Sequence, residues 1–396
     1  MQTGTVRTFN EKVFSKVYRD ELLENIVPFW MKYSKDKVNG GYYTCLDREG
    51  KVYDEDKFVW LQARQVWCFS TMYKNVAARQ DWLDMAVHGA DFLEKWGRDK
   101  DGNWYFSLRA DGKPLVQPYN IFSDCFAAMA FAALDKIQPQ DRYKEIALST
   151  FKHILKRQHN CKGIFNKTYP GTRTLKSFSL PMILCNLSLE MEQLLGTERV
   201  NNFIPSVIHE VMDVFYQKDL GLILENVYED GSFCDSFEGR LLNPGHAIEA
   251  MWFIIELGKR LQDELLIKKA CDILIQTLEH GWDKKHGGIF YFMDIKNKPT
   301  QQLEWDQKLW WVHVEALVAL AKGYIASGDE RFAEWFEKVH EYTWKHFRDP
   351  EFGEWFGYLN RQGHPLLTIK GGKWKGCFHI PRGLYQVWKT FEQKEN

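Results

Sequence analysis

No Cys-x-x-Cys motif occurs in the 396 residues, which leaves neither a zinc knuckle nor a thioredoxin-like redox centre. No run approaches the roughly eighteen apolar residues of a membrane span, and the N-terminus carries no apolar signal core. Charge of one sign is missing too: 52 Lys and Arg face 53 Asp and Glu, for a formal net charge of -1. That balance argues against a nucleic-acid protein, which carries a basic face. No linker or low-complexity tract interrupts the chain, so residues 1–396 are expected to form a single domain. The eight cysteines are scattered between Cys45 and Cys377 and are expected to be reduced and mostly buried, hence cytoplasmic.

Aromatic side chains, by contrast, are plentiful: 16 Trp, 17 Tyr and 27 Phe. Many must fill a core. Aromatic walls also suit sugar rings, whose C–H faces are apolar and whose rims are polar.

A glycine-aromatic segment recurs down the chain, starting at Gly40, Gly102, Gly163, Gly221, Gly287 and Gly353. The spacing of roughly sixty residues marks a repeat architecture. Each segment reads as a short hairpin between two helices, and the third is the least regular. The first helix of each unit has a charged face, as over residues 329–347. The second is apolar nearly all round, as over 122–134 and 177–189, and is expected to be buried. The N-terminal helix, about 10–32, supplies the outer partner of unit one. A C-terminal helix from about residue 382 supplies the inner partner of unit six. Six complete pairs favour closure into a ring, because an open solenoid needs polar capping repeats. The expected fold is an all-α (α/α)6 barrel with hairpins around the cavity mouth.

In such a barrel the N-terminal ends of the inner helices face the cavity. The polar groups there are Arg64, Asn120, Asp124, Arg240, Asn243, His246, Glu249, Asp306, Lys308, Trp311, His313, Glu315, His379 and Arg382. Asn243-Pro244-Gly245-His246 mirrors Lys370–Arg382: a turn, a proline and a histidine at a helix start. The positive end of a helix dipole disfavours imidazolium, so both rings are expected to be neutral bases. Two such bases, an arginine and an aromatic pocket suit proton abstraction beside a carbonyl. One histidine takes a proton from one face, the other delivers one to the opposite face, and Arg64 stabilises the enediolate oxygen between them. His246-x-x-Glu249 lacks a second histidine–carboxylate pair, so no metal is expected. The loop Gly371-Gly372-Lys373 lacks the Walker pattern.

The chain resembles the N-acylglucosamine 2-epimerases, the renin-binding proteins of animals, and looks closest to their bacterial members. The stretches that carry the resemblance are residues 58–67, 243–250, 302–311 and 370–382. It implies interconversion of N-acetylglucosamine and N-acetylmannosamine, with His246 and His379 as paired acid and base. Arg64 and Glu315 are the supporting residues. It also implies a homodimer and activation by ATP that is not consumed. The loop 166–173, with Lys167 and Arg173, and Lys176 beyond it, is the candidate nucleotide site. Epimerases of non-acylated sugars, such as mannose or cellobiose, share the histidine pair. Two other readings remain: a carboxylate-dependent glycoside hydrolase or lyase using Asp124 with Glu249 or Glu315, and a non-catalytic partner-binding scaffold.

Overall fold

A computed structural model describes residues 9–393 except Thr168 and Pro170, which fall within the candidate nucleotide loop. Outer helices are α1 (Glu11–Asp20) running through a π-helical turn into α2 (Val27–Tyr33), then α4 (Gln80–Trp96), α6 (Asp141–Arg157), α8 (Thr197–His209), α10 (Glu264–Gly281) and α12 (Glu330–His346). Inner helices are α3 (Val59–Asn75), α5 (Ile121–Asp135), α7 (Ser179–Leu195), α9 (Pro244–Leu261), α11 (Trp310–Ser327) and α13 (His379–Glu392). Each inner helix packs on the next, from α3 through α13, and mainly on the outer helix that follows it rather than on the one that precedes it in its own unit, with α13 packing back on α1. The fold is an (α/α)6 barrel.

Burial follows the sequence pattern. In α5 every residue except Phe122 is buried, and in α11 all from Trp310 to Tyr324. A helix apolar all round has no solvent face to offer and must sit inside. In α12 only Phe332, Ala333, Phe336, Val339, Tyr342 and Thr343 are buried, the stripe of an outer helix.

Two boundaries differ from expectation. The first helix is not uniformly α: Glu21–Ile26 widens into a π-turn. There the buried Glu21 accepts from Trp355 Nε1 at 2.8 Å and from Arg348 Nε at 2.9 Å, tying unit one to unit six. The last helix begins at His379 rather than near Arg382, with Pro381 inside its first turn. Proline is tolerated there because first-turn amides have no intrahelical acceptor.

The hairpins do more than line the mouth. The strand before an inner helix pairs with the hairpin of the following unit. Lys57–Phe58 pairs with Ser107–Leu108, Leu175–Ser177 with Asn226–Tyr228, Leu241–Leu242 with Met293–Asp294, and Lys308–Leu309 with Tyr358–Leu359. The ring closes where Lys370 N donates to Leu46 O at 2.9 Å and the Phe378 ring meets Trp67 at 5.4 Å. Three buried lysines lock these joints: Lys57 on Asp36 at 2.7 Å, Lys308 on Asp283 at 3.3 Å and Lys370 on Asp349 at 2.7 Å. All eight cysteines are free of disulfides and all but Cys161 are buried.

Candidate active site

Three inner-helix starts meet at one place. His246 is the third residue of α9, whose Pro244 opens the helix while Asn243 Oδ1 accepts from His246 N at 3.2 Å. Trp311 is the second residue of α11, and His379 is the first of α13. The Trp311 ring centroid lies 5.2 Å from that of His246 and 5.8 Å from that of His379. Two imidazoles 133 positions apart in sequence, on helices of units four and six, thus share one indole as neighbour.

Each imidazole keeps Nδ1 on a carboxylate. His379 Nδ1 is 2.8 Å from Glu315 Oε1, and His246 Nδ1 is 3.0 Å from Glu225 Oε1. When Nδ1–H donates to the carboxylate, Nε2 is left to face the cavity. The surroundings of the two rings differ. Burial depresses the His379 pKa well below the ordinary value, and Arg64 and Arg382 push it further down against the opposing Glu249. Burial works against a charged His246 as well, but Glu225 and Glu249 outweigh it and raise its pKa. The two rings, expected to behave alike, are therefore pulled in opposite directions: the dipole end is common to both, and the neighbouring charges set the difference between them.

Behind His379 lies a buried ionic cluster. Arg382 donates to Glu315 Oε1 at 2.6 Å and also to Glu249, while Glu315 Oε2 accepts from Trp252 Nε1 at 2.9 Å. Ligand atoms of Glu249, Glu315 and His379 lie within 4.8 Å of one another, close enough for a cation. The Arg382 guanidinium is that cation. Arg64 is different. It makes no ion pair among the described residues, and its Nε has no partner. Its guanidinium sits among Phe126, Trp60 and Phe378 at 3.9, 4.3 and 4.6 Å. Burial and the nearby Arg382 bring its pKa down to about 9, so it remains charged at neutral pH. An unpaired buried cation of this kind calls for an anion or a developing one.

Other residues singled out in the sequence belong elsewhere. Lys308 is fully buried on Asp283 and Gly288 O, within a joint between units. His313 accepts from Ile289 N at 3.0 Å and contacts Leu309 O at 2.8 Å, which fixes it as a structural ring. Asn120 caps α5, and Arg240 pairs with Asp294 and Asp235. Asp124 pairs with Arg157 at 3.1 Å, and burial lifts its carboxyl to about 7. In the candidate nucleotide loop Lys167 is exposed, while Arg173 and Lys176 are paired with Glu238 at 2.9 Å and Glu210 at 2.6 Å. A hollow of about 490 Å³ between Leu23, Met31, Val76 and Trp82 lies on the outer side and contains no site residue.

Glu225 and Trp252 were not singled out from the sequence. Glu225 lies 21 positions before His246, in the unit-four hairpin, so no helical periodicity links the two. The available signal was an acid directly after the apolar strand Leu222–Ile223 and Leu224, where a buried carboxylate needs a partner.

A helical barrel whose cavity gathers two imidazoles, an unpaired arginine and an aromatic wall is built to move protons on a small polar molecule. The chain matches the N-acylglucosamine 2-epimerase family over residues 41–381. It is 39% identical to the N-acylglucosamine 2-epimerase of Mus musculus over 92% of this chain and 89% of that one. With the Homo sapiens protein of the same name it shares 40% identity, over 91% and 86% of the two chains. The crystal structure of a sugar epimerase from a ruminal bacterium superposes with a TM-score of 0.80 at 23% identity, over 95% and 98% of the chains. The chain belongs to the N-acylglucosamine 2-epimerase family and is a sugar 2-epimerase.

Proposed function

We propose that the protein interconverts N-acetylglucosamine and N-acetylmannosamine. The observation that carries this reading is the pair His246 and His379, each with Nδ1 on a carboxylate, packed on Trp311 beside the unpaired Arg64. The relatives named for this activity support the choice of substrate. In the ring-opened sugar, C2 carries a proton made acidic by the C1 aldehyde. One imidazole Nε2 takes that proton, and the electron pair moves into a C1–C2 double bond with negative charge on O1. Arg64 balances that charge. The other imidazole gives its Nε2 proton to C2 from the opposite face, and ring closure releases the epimer.

A hydrolase would need a carboxylic acid and a carboxylate flanking the scissile bond. Glu249 and Glu315 are both held by Arg382 instead, and Asp124 by Arg157. The test is turnover of N-acetylmannosamine, mannose and cellobiose in heavy water. Deuterium at C2 of the epimerised amino sugar is expected. Product without deuterium at C2, or turnover confined to mannose and cellobiose, would overturn the reading.

The same proposal includes a homodimer in the cytoplasm, activated by ATP without its consumption at Lys167, Arg173 and Lys176. Phosphates there would replace Glu238 and Glu210 as partners of the two paired cations. Replacing Arg173 and Lys176 by Gln is expected to abolish activation by ATP; activation retained in full would remove them from the site.

A further inference from the structure

Among the described residues, Glu225 is the one carboxylate at the site with no cation other than the imidazole it touches. Both of its oxygens lie near His246 Nδ1, at 3.0 and 3.1 Å. Glu315, its counterpart on His379, is also engaged by Arg382 and by Trp252. The position of Glu225 is fixed from two sides. Its amide donates to Leu241 O at 3.0 Å, and its carbonyl accepts from Phe178 N at 2.9 Å, so the strand before α9 and the start of α7 both hold it. Apart from the His246 contact, its side chain makes no hydrogen bond or ion pair among the described residues. The groups facing His246 are Glu225 from the unit-four hairpin, Glu249 from its own helix, Trp311 from α11 and His379 from α13. Tyr291 comes from the unit-five hairpin, where burial first, then the nearby Glu304 and Glu225, push its hydroxyl well above the ordinary tyrosine value and keep it protonated.

We propose that Glu225 is a positioning residue for the epimerisation: it fixes His246 with Nε2 toward the sugar and holds the ring charged, so that His246 enters turnover as the proton donor and His379 as the acceptor. This rests on the proposed reading of the site. The resting enzyme is thus not symmetric about C2. In the direction that uses His379 as base, the sugar C2–H proton passes to His379 Nε2 and the proton on His246 Nε2 passes to carbon. The enzyme is then left with the charges exchanged and resets through solvent. In the reverse direction the less populated form, with His379 charged and His246 neutral, is the one that reacts.

The test compares the wild type with Glu225→Gln and Glu225→Asp. Gln keeps a hydrogen-bond acceptor without the charge, and Asp keeps the charge. Two quantities are read: the titration of His246 by nitrogen-15 NMR, assigned with His246→Asn, and the pH profile of kcat. His246 is expected to titrate above the ordinary imidazole value in the wild type, lower in Glu225→Gln, and near the wild-type value in Glu225→Asp. The alkaline limb of kcat should move down in Glu225→Gln, with a loss of about 10²-fold on that side and a much smaller loss on the acid side. Three results would overturn the proposal: wild-type His246 titrating at or below the ordinary value, the same titration in wild type and Glu225→Gln, or one uniform loss of kcat at every pH. If Glu225→Gln does not fold, the wild-type titration and the Glu225→Asp profile decide. If none of the sugars is epimerised, the reading of the function fails, while the NMR titration still decides the role of Glu225.

Discussion

The loops before α9 and before α13 are built alike and deliver opposite chemistry. Each ends in a proline in the first helical turn, a histidine facing the cavity and a carboxylate on Nδ1. On the α9 side the carboxylate is otherwise free, and two acids raise the pKa of His246. On the α13 side the carboxylate is shared with Arg382, and burial together with Arg64 keeps His379 neutral. The tautomer of a histidine is set by its hydrogen bond, and its charge by what else that partner must satisfy.

The comparison is broken most severely by removing either ring. His246→Asn and His379→Asn should each lower kcat for net epimerisation by about 10³-fold or more. They should differ in one respect. With His246→Asn, His379 still exchanges the C2 proton of one epimer with solvent without inverting it, which proton NMR in heavy water detects. Exchange lost equally for both epimers in that variant would mean His379 cannot act alone. Next in size is Arg382→Met. It strands Glu249 and Glu315 without their cation and should cost about 3–5 kcal/mol of stability by urea denaturation. An unchanged midpoint would show that the cluster has another counter-charge.

Arg64→Lys should lower kcat by about 10²-fold with little change in melting temperature, because Arg64 holds no protein carboxylate. A large drop in melting temperature would make it a structural cation. The smallest expected effect is on the shape of the pH profile. In the direction that uses His379 as base, activity requires His379 neutral and His246 charged. The pKa of His379 is lowered, so the acid limb falls below the ordinary histidine value near 6.5. The pKa of His246 is raised, so the alkaline limb falls above it. A narrow bell centred on a single histidine-like value would contradict the contrast between the two rings.

Much of this was legible in the sequence because it is periodic. Glycine-aromatic segments at regular spacing, with helices of alternating character between them, read out the barrel and placed Arg64, His246, Trp311, Glu315 and His379 near helix starts. Three things were hidden, each resting on contacts between units. The pairing of Lys57–Phe58 with Ser107–Leu108 depends on ring geometry, which no local pattern encodes. Lys308 sits beside Trp311 in sequence, yet its long side chain turns the other way to meet Asp283. Glu225 reaches His246 only because its hairpin folds over the start of the next helix.

The buried ionic cluster has one more consequence. Arg64 and Arg382 offset Glu249 and Glu315, and Glu225 offsets His246 when that ring is charged, so the chamber is then electrically neutral. It stays neutral as His379 gains a proton while the sugar turns anionic. An uncharged monosaccharide therefore enters without disturbing the field, and its turnover should hardly respond to ionic strength.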